Sequence, residues 1–209
     1  MHGMHAPESW QGLAPGWRFQ AMGHHARPLR ADEVPMLQAL YEANPLYFET
    51  VTGHGPRPHE AQEAFDDRPP PDMPYRAQEC LGLFRHDGTL VGVSIVVVDL
   101  MAPGVWHVAL FLLATGLHGR GLARALYQAQ EAWAVQQGAQ WMRLGVVVGN
   151  TRAEHFWWRR GFTQVRLREH ILASDRVNTL RVMVKPLAGQ PVAAYLEQVP
   201  RDRPETELP

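Results

Sequence analysis

The stretch Leu113 to Ala123, LATGLHGRGLA, holds the residue types in this 209-residue chain that most directly offer chemistry. Its glycines let main chain turn sharply and meet a ligand with no Cβ in the way. A helix beginning at Gly121 presents first-turn amides without internal partners, and its dipole adds positive potential. The natural guest of such a site is an anion, typically a phosphate or pyrophosphate. Two phosphate motifs are excluded. A P-loop needs Gly-Lys-Ser/Thr, but Leu122 follows Gly121; the dinucleotide fingerprint needs a third glycine where Arg124 stands. A glycine-rich turn with no ligand has the same composition, so these residues alone leave both readings open.

A second segment narrows the choice. Val146-Val147-Val148-Gly149-Asn150 ends a strand, and Thr151 to Glu154 has capping-box spacing. Asn150 then falls between strand end and helix, where its amide is free to meet a ligand. Ala153, Phe156, Trp157 and Arg160 share one face of that helix, and Gly161-Phe162 leads back into a strand.

The elements that must carry these segments are legible. Ala31-Asp32 starts a helix with Val34, Leu37, Leu40 and Tyr41 at helical spacing, stopped at Asn44-Pro45, and Glu60 to Phe65 suggests a short one. Cys80 to Phe84 and Leu90 to Asp99 read as strands joined through Asp87-Gly88, and Trp106 to Leu113 as a third. A helix from Gly121 to Gly138 follows, then a strand over Met142 to Val148 and a helix over Arg152 to Arg160. Strands at Phe162 to Leu167 and Leu180 to Val184 complete the expected domain, 27–186. An antiparallel meander leading into strand–helix–strand–helix predicts an α/β (α+β) sheet flanked by helices. Residues 1–26 read as a partly ordered arm, in which His2, His5, His24 and His25 match no zinc pattern. Residues 187–209 read as a proline-rich tail on the surface or frayed.

Composition bounds the function. Twenty basic and twenty-one acidic residues leave a net charge of −1, with no polyanion footprint, so nucleic acid is not an expected partner. Cys80 is alone, so an internal disulfide or a cysteine-based zinc site is not expected, and no metal is assigned. The longest apolar run, Leu90 to Met101, is too short to span a bilayer, and Met1 to Trp17 lacks a secretory pattern. A soluble cytoplasmic protein without a membrane partner is expected.

His118-Gly-Arg-Gly121-Leu-Ala123 resembles the Gln/Arg-x-x-Gly-x-Gly/Ala acyl-CoA signature of the GNAT N-acetyltransferase superfamily. The run Asn150-x-x-Ala153, Trp157, Gly161-Phe162 resembles that family's Asn-x-x-Ala, Tyr, Gly-Phe segment, and the order of elements agrees over roughly Arg27 to Pro186. The resemblance implies a mixed, mostly antiparallel sheet whose strands splay at an acyl-CoA site. It also implies transfer of acetyl from acetyl-CoA to a primary amine, on a small molecule or a peptide, by direct attack in a ternary complex. A non-catalytic acyl-CoA sensor is the alternative, and a homodimer is compatible with either. By the same resemblance, amides of Gly119, Arg120, Gly121, Leu122 and Ala123, after His118, cradle the pyrophosphate. Phe111, Leu112 and Leu113 pair main chain with the pantetheine arm, and Asn150 bonds that arm or orders the splayed strands. His118 departs from the usual Gln or Arg. Trp157 stands where many members have a tyrosine that protonates the thiolate, and an indole N–H does not titrate near neutrality. His107, six residues before Leu113, is the expected base, with a structural histidine as the alternative. Glu49 and Asp99 are weaker candidates, and Tyr41, Tyr47, Phe48 and Trp106 are candidates for an aromatic acceptor pocket.

Overall fold

The structure is a computed structural model, and it describes residues 16–206. His2, His5 and most of the expected arm lie outside the described residues. Eight strands form one sheet in the order β1-β2-β3-β4-β5-β6-β8-β7. They are β1 Phe19–Ala21, β2 His24–Pro28, β3 Ala77–Arg85, β4 Leu90–Val98, β5 Val105–Leu113, β6 Trp141–Val147, β7 Thr163–Ala173 and β8 Arg176–Pro186. Every neighbouring pair is antiparallel except β5/β6, which is parallel. A parallel pair needs a crossover, and α4 (Leu122–Gln136) supplies it.

That mixed sheet is covered on both faces. On one, α4 and α5 (Thr151–Trp158) bury Leu126, Tyr127, Trp133 and Trp157 against Val96, Trp106 and Met142. On the other, α1 (Val34–Glu42), α2 (Leu46–Thr52) and α3 (Glu60–Asp66) cover Phe84, Val93, Ile95 and Leu112. The near-continuous apolar run of β4 is explained by this double covering, since every one of its nine residues is buried.

Four expectations change. The described part of the expected arm is not loose: Phe19–Ala21 and His24–Pro28 pair with each other and with β3 as strands of the sheet. Asn44-Pro45 ends α1, but Pro45 also caps a further helix, α2, that periodicity did not reveal. The last two strands extend to Ala173 and back from Arg176; as an edge hairpin, β7 is largely exposed and carries too few apolar residues to announce its length. The expected surface tail is corrected most. Among its described residues, α6 (Val192–Gln198) and a 3₁₀ turn at Pro200–Asp202 pack Tyr195 and Val199 against Val105, Trp141, Val182 and Val184. Tyr195, Val199 and Asp202 are essentially inaccessible. The scattered apolar residues of this segment show no long helical period, yet they suffice to dock one short helix on a sheet already exposing a matching apolar strip.

Candidate active site

The parallel register of β5 and β6 holds only from Val105–Trp141 to Val108–Leu144. Beyond it the strands part, and Ala109 to Leu113 lack a partner on the β6 side. A bulge starts this separation. Ile95 and Val96 of β4 face Leu110 and Val108, so Ala109 is the extra residue. Bulges sharpen local twist and redirect a strand, which opens the wedge here.

The glycine segment begins where β5 ends. Gly119 and Gly121 have φ of +77° and +80°, a region that side chains with a Cβ rarely enter, and open space surrounds both. Gly121 is the N-cap of α4 and offers no side-chain cap, so the amides of Leu122, Ala123 and Arg124 have no intrahelical acceptor. His118 braces the segment. Its Nε2 donates to the Leu113 carbonyl at 2.9 Å, while Nδ1 accepts from Arg152 at 2.8 Å. The histidine thereby brings a guanidinium from the start of α5 toward the glycine turn. Asn44 adds a second brace, accepting from the Thr115 amide at 2.6 Å.

The two sides of the wedge hold two cavities, of about 650 and 640 Å³. The second runs from Phe111, Leu112 and Leu113 past His118, Gly119 and Ala123 to Asn150. The first lies under α2 and α3 and reaches His107, Arg143 and Arg168. Tyr47, Phe111, Asn150, Ala153 and Trp157 border both, so the cavities meet at the wedge.

The sequence model of the acetyltransferase (GNAT) family matches residues 37–162. The chain belongs to the GNAT acetyltransferase family. Solved structures agree on the fold. An acetyltransferase from Thermus thermophilus is 22% identical, with a TM-score of 0.60 over 79% of this chain and 97% of that one. Spermidine N-acetyltransferase from Vibrio cholerae, solved with CoA and spermine, is 16% identical, with a TM-score of 0.62 over 79% and 96%. The ribosomal-protein-S18-alanine N-acetyltransferase of Escherichia coli is 14% identical, with a TM-score of 0.59 over 80% and 96%. Among curated proteins, no sequence matches the chain.

Within this acetyltransferase, Phe111, Leu112, Leu113, His118, Gly119, Ala123, Asn150 and Trp157 line the second cavity. Arg120, Gly121 and Leu122 do not; Leu122 points into the core, and only its amide can face a ligand. Asn150, not Thr151, caps α5, its Oδ1 accepting from the Ala153 amide at 3.3 Å. Glu154 pairs with Arg181 at 3.0 Å and closes no capping box. Trp157 sits among Phe111, Tyr127, Phe156 and Phe162, with ring centroids 4.8 to 6.1 Å away, which makes it a wall of the junction.

His107 lies on the first cavity, but its environment disfavours the imidazolium. Burial, with the neighbouring Arg143 charge behind it, pushes its pKa down to about 3. Arg143 also donates to Nδ1 at 3.2 Å, which places the remaining proton on Nε2. The basic nitrogen is therefore occupied, and the base role expected of His107 is in conflict with this arrangement. Glu49 is exposed on α2, and Asp99 pairs with Arg76 at 2.6 Å in a turn. Tyr41, Tyr47 and Phe48 do border the first cavity, whereas Trp106 packs on Trp133 across the sheet.

Sequence reasoning did not single out Arg143, Arg152, Arg168 or Asp202. The side chain of Arg143 is 7% exposed and that of Asp202 1%. Nε and Nη2 of Arg143 donate to the two carboxylate oxygens at 2.7 and 2.9 Å, and Tyr195 donates its hydroxyl to the same carboxylate. The terminal segment thus fixes the floor of the first cavity. Arg152 could have been found as the basic residue two positions after Asn150; the others carry no local signal. No group of three or more His, Cys, Asp or Glu side chains fit for a metal occurs among the described residues. None of their helices is long and apolar enough to cross a membrane.

Proposed function

We propose that this acetyltransferase uses acetyl-CoA and moves the acetyl group to a primary amine in a ternary complex. The observation that carries the reading is the meeting of two cavities at the wedge, one ending on an anion-type helix start and the other remote from it. Amides from Gly119 to Ala123 hold the pyrophosphate, with Arg152 adding a cation. The unpaired edge of β5 at Phe111 to Leu113 bonds the pantetheine main-chain fashion, and Asn150 faces it across the wedge. The thioester then lies between Phe111 and Trp157, where the first cavity delivers the amine.

The amine nitrogen forms a C–N bond to the thioester carbon, the C–S bond breaks, and the amine proton leaves to water in the first cavity. His107 does not take that proton; its Nε2–H orients water or acceptor. Tyr47 borders both cavities, and burial with the Glu60 charge pushes its phenol up to about 12, so it stays protonated. Proton transfer from such a phenol to a thiolate of pKa about 8.5 is uphill. Tyr47 instead donates a hydrogen bond to the developing thiolate, a role that Trp157 leaves open. A thiol-release screen over amines, amino acids, polyamines and aminoglycosides tests the reading. Acetyl-CoA binding without thiol release from any of them would leave the sensor alternative standing.

A further inference from the structure

The basic end of the first cavity carries a charge that nothing within the described protein neutralises. Arg143 is satisfied, with its guanidinium divided between Asp202 and His107. Arg166 is turned to the carbonyls of Arg201 and Thr206, and Arg201 pairs with Asp72. Arg168 borders the cavity, and its side chain makes no hydrogen bond or ion pair among the described residues. Its surroundings even oppose its charge. Burial first, then the Arg143, Arg166 and Arg201 guanidiniums, weaken its hold on the proton, against a smaller pull from Asp202. The bulge between Arg168 and Ile171, with His170 at φ +57°, interrupts the register with β8 just beyond Arg168. The other acidic residues of the cavity lie elsewhere. Glu60 and Asp67 belong to the α3 side, where Glu60 is engaged by Arg57 at 2.9 Å. Arg68 is on that side too, turned to the carbonyls of Phe65 and Asp67.

A half-buried guanidinium with no partner is costly unless a ligand completes it. Its planar fork matches a carboxylate through two parallel hydrogen bonds. We propose that the acceptor is an amine that also bears a carboxylate, and that Arg168 binds this carboxylate while the amine reaches the wedge. The proposal rests on the acetyl-transfer reading and specifies its substrate class. Strand β7 is two strands from β6, or about 10 Å, so the two groups of the acceptor can be several bonds apart. The unpaired charge of Arg168 disfavours a cationic group at this end of the cavity, which is where the acceptor's carboxylate would lie.

The test uses the full chain saturated with CoA for binding and with acetyl-CoA for turnover. Leucine, γ-aminobutyrate, ε-aminohexanoate and glycylglycine are each compared with their carboxamides, alongside spermidine and O-phosphoethanolamine. At least one free acid should raise the melting temperature of the CoA complex and be acetylated with kcat/KM tenfold or more above its carboxamide. Arg168→Gln should collapse that ratio toward one, and Arg168→Lys should keep part of it. An unchanged CoA-induced melting shift in each variant confirms that the fold is intact. Equal use of acid and amide, preference for spermidine or O-phosphoethanolamine, a ratio that survives Arg168→Gln, or no binding by any acid overturns the proposal. Arg168-dependent binding of an acid without thiol release upholds the carboxylate site and refutes acetyl transfer. Thiol release without discrimination does the reverse.

Discussion

Replacing Asp202 by alanine removes both oxygens that hold Arg143 and leaves a guanidinium with a 7% exposed side chain facing no anion. Breaking a buried pair from one side costs about 3–5 kcal/mol, because the surviving charge stays desolvated. For a chain of this size each kcal/mol moves the melting temperature by about 2–4 °C, so a drop of roughly 6–20 °C is expected at pH 7. Thermal unfolding followed by circular dichroism reads it directly. Arg143→Met combined with Asp202→Ala should recover much of the loss, since the stranded charge is then gone. Acid adds a second check. Burial alone would raise the Asp202 carboxyl, but the Arg143 contacts win and hold it below the ordinary range. A carboxyl depressed in the fold stabilises above its unfolded pKa of about 3.9, and that stabilisation is lost as pH falls through the folded value. The gap between wild type and Asp202→Ala should therefore close below about pH 4. A loss under about 2 °C at pH 7, or a gap indifferent to acid, would refute the packing of the terminal segment and restore the surface tail.

Gly121→Glu places bulk and negative charge at the N-cap of α4, at a φ of +80°, and should abolish the melting shift that acetyl-CoA produces; normal binding by a folded variant refutes the pyrophosphate site. Because His107 is held neutral, the kcat/KM profile should show no ascending limb near pH 6–7 that His107→Gln removes; disappearance of such a limb in that variant returns the base role to His107. The depressed His107 pKa also has a stability consequence: the unfolded chain takes up this proton near pH 6.5 and the folded one only near 3, so stability should fall as pH drops through that window. Tyr47→Phe should lower kcat by about 10- to 100-fold at unchanged CoA affinity, while Trp157→Phe keeps most turnover; the reverse pattern would exchange their roles.

The resemblance to the family rested on segments that are local in sequence, and these are the parts that survive. A glycine pair after a strand and before a helix, and an asparagine at a strand-to-helix corner, report backbone geometry within a few residues. Strands β3 to β6 and helices α4 and α5 were legible for the same reason, since their apolar periods span each element and their ends carry turn residues. Helix α2, the short strand β2 and the edge strands β1 and β7 are harder to read, being short or solvated on one side, so packing rather than pattern holds them.

Side-chain environment was decided by tertiary structure alone. Periodicity shows that Trp106 and His107 lie on opposite faces of β5, but only the helices above each face determine that Trp106 joins the core on Trp133 and His107 the cavity. The titration of His107 depends on Arg143, 36 residues away, whose own partner Asp202 is a further 59 residues along the chain. Electrostatic pairing acts through space and leaves no period in the sequence, which is why the terminal segment read as a tail while the fold uses it to floor the cavity.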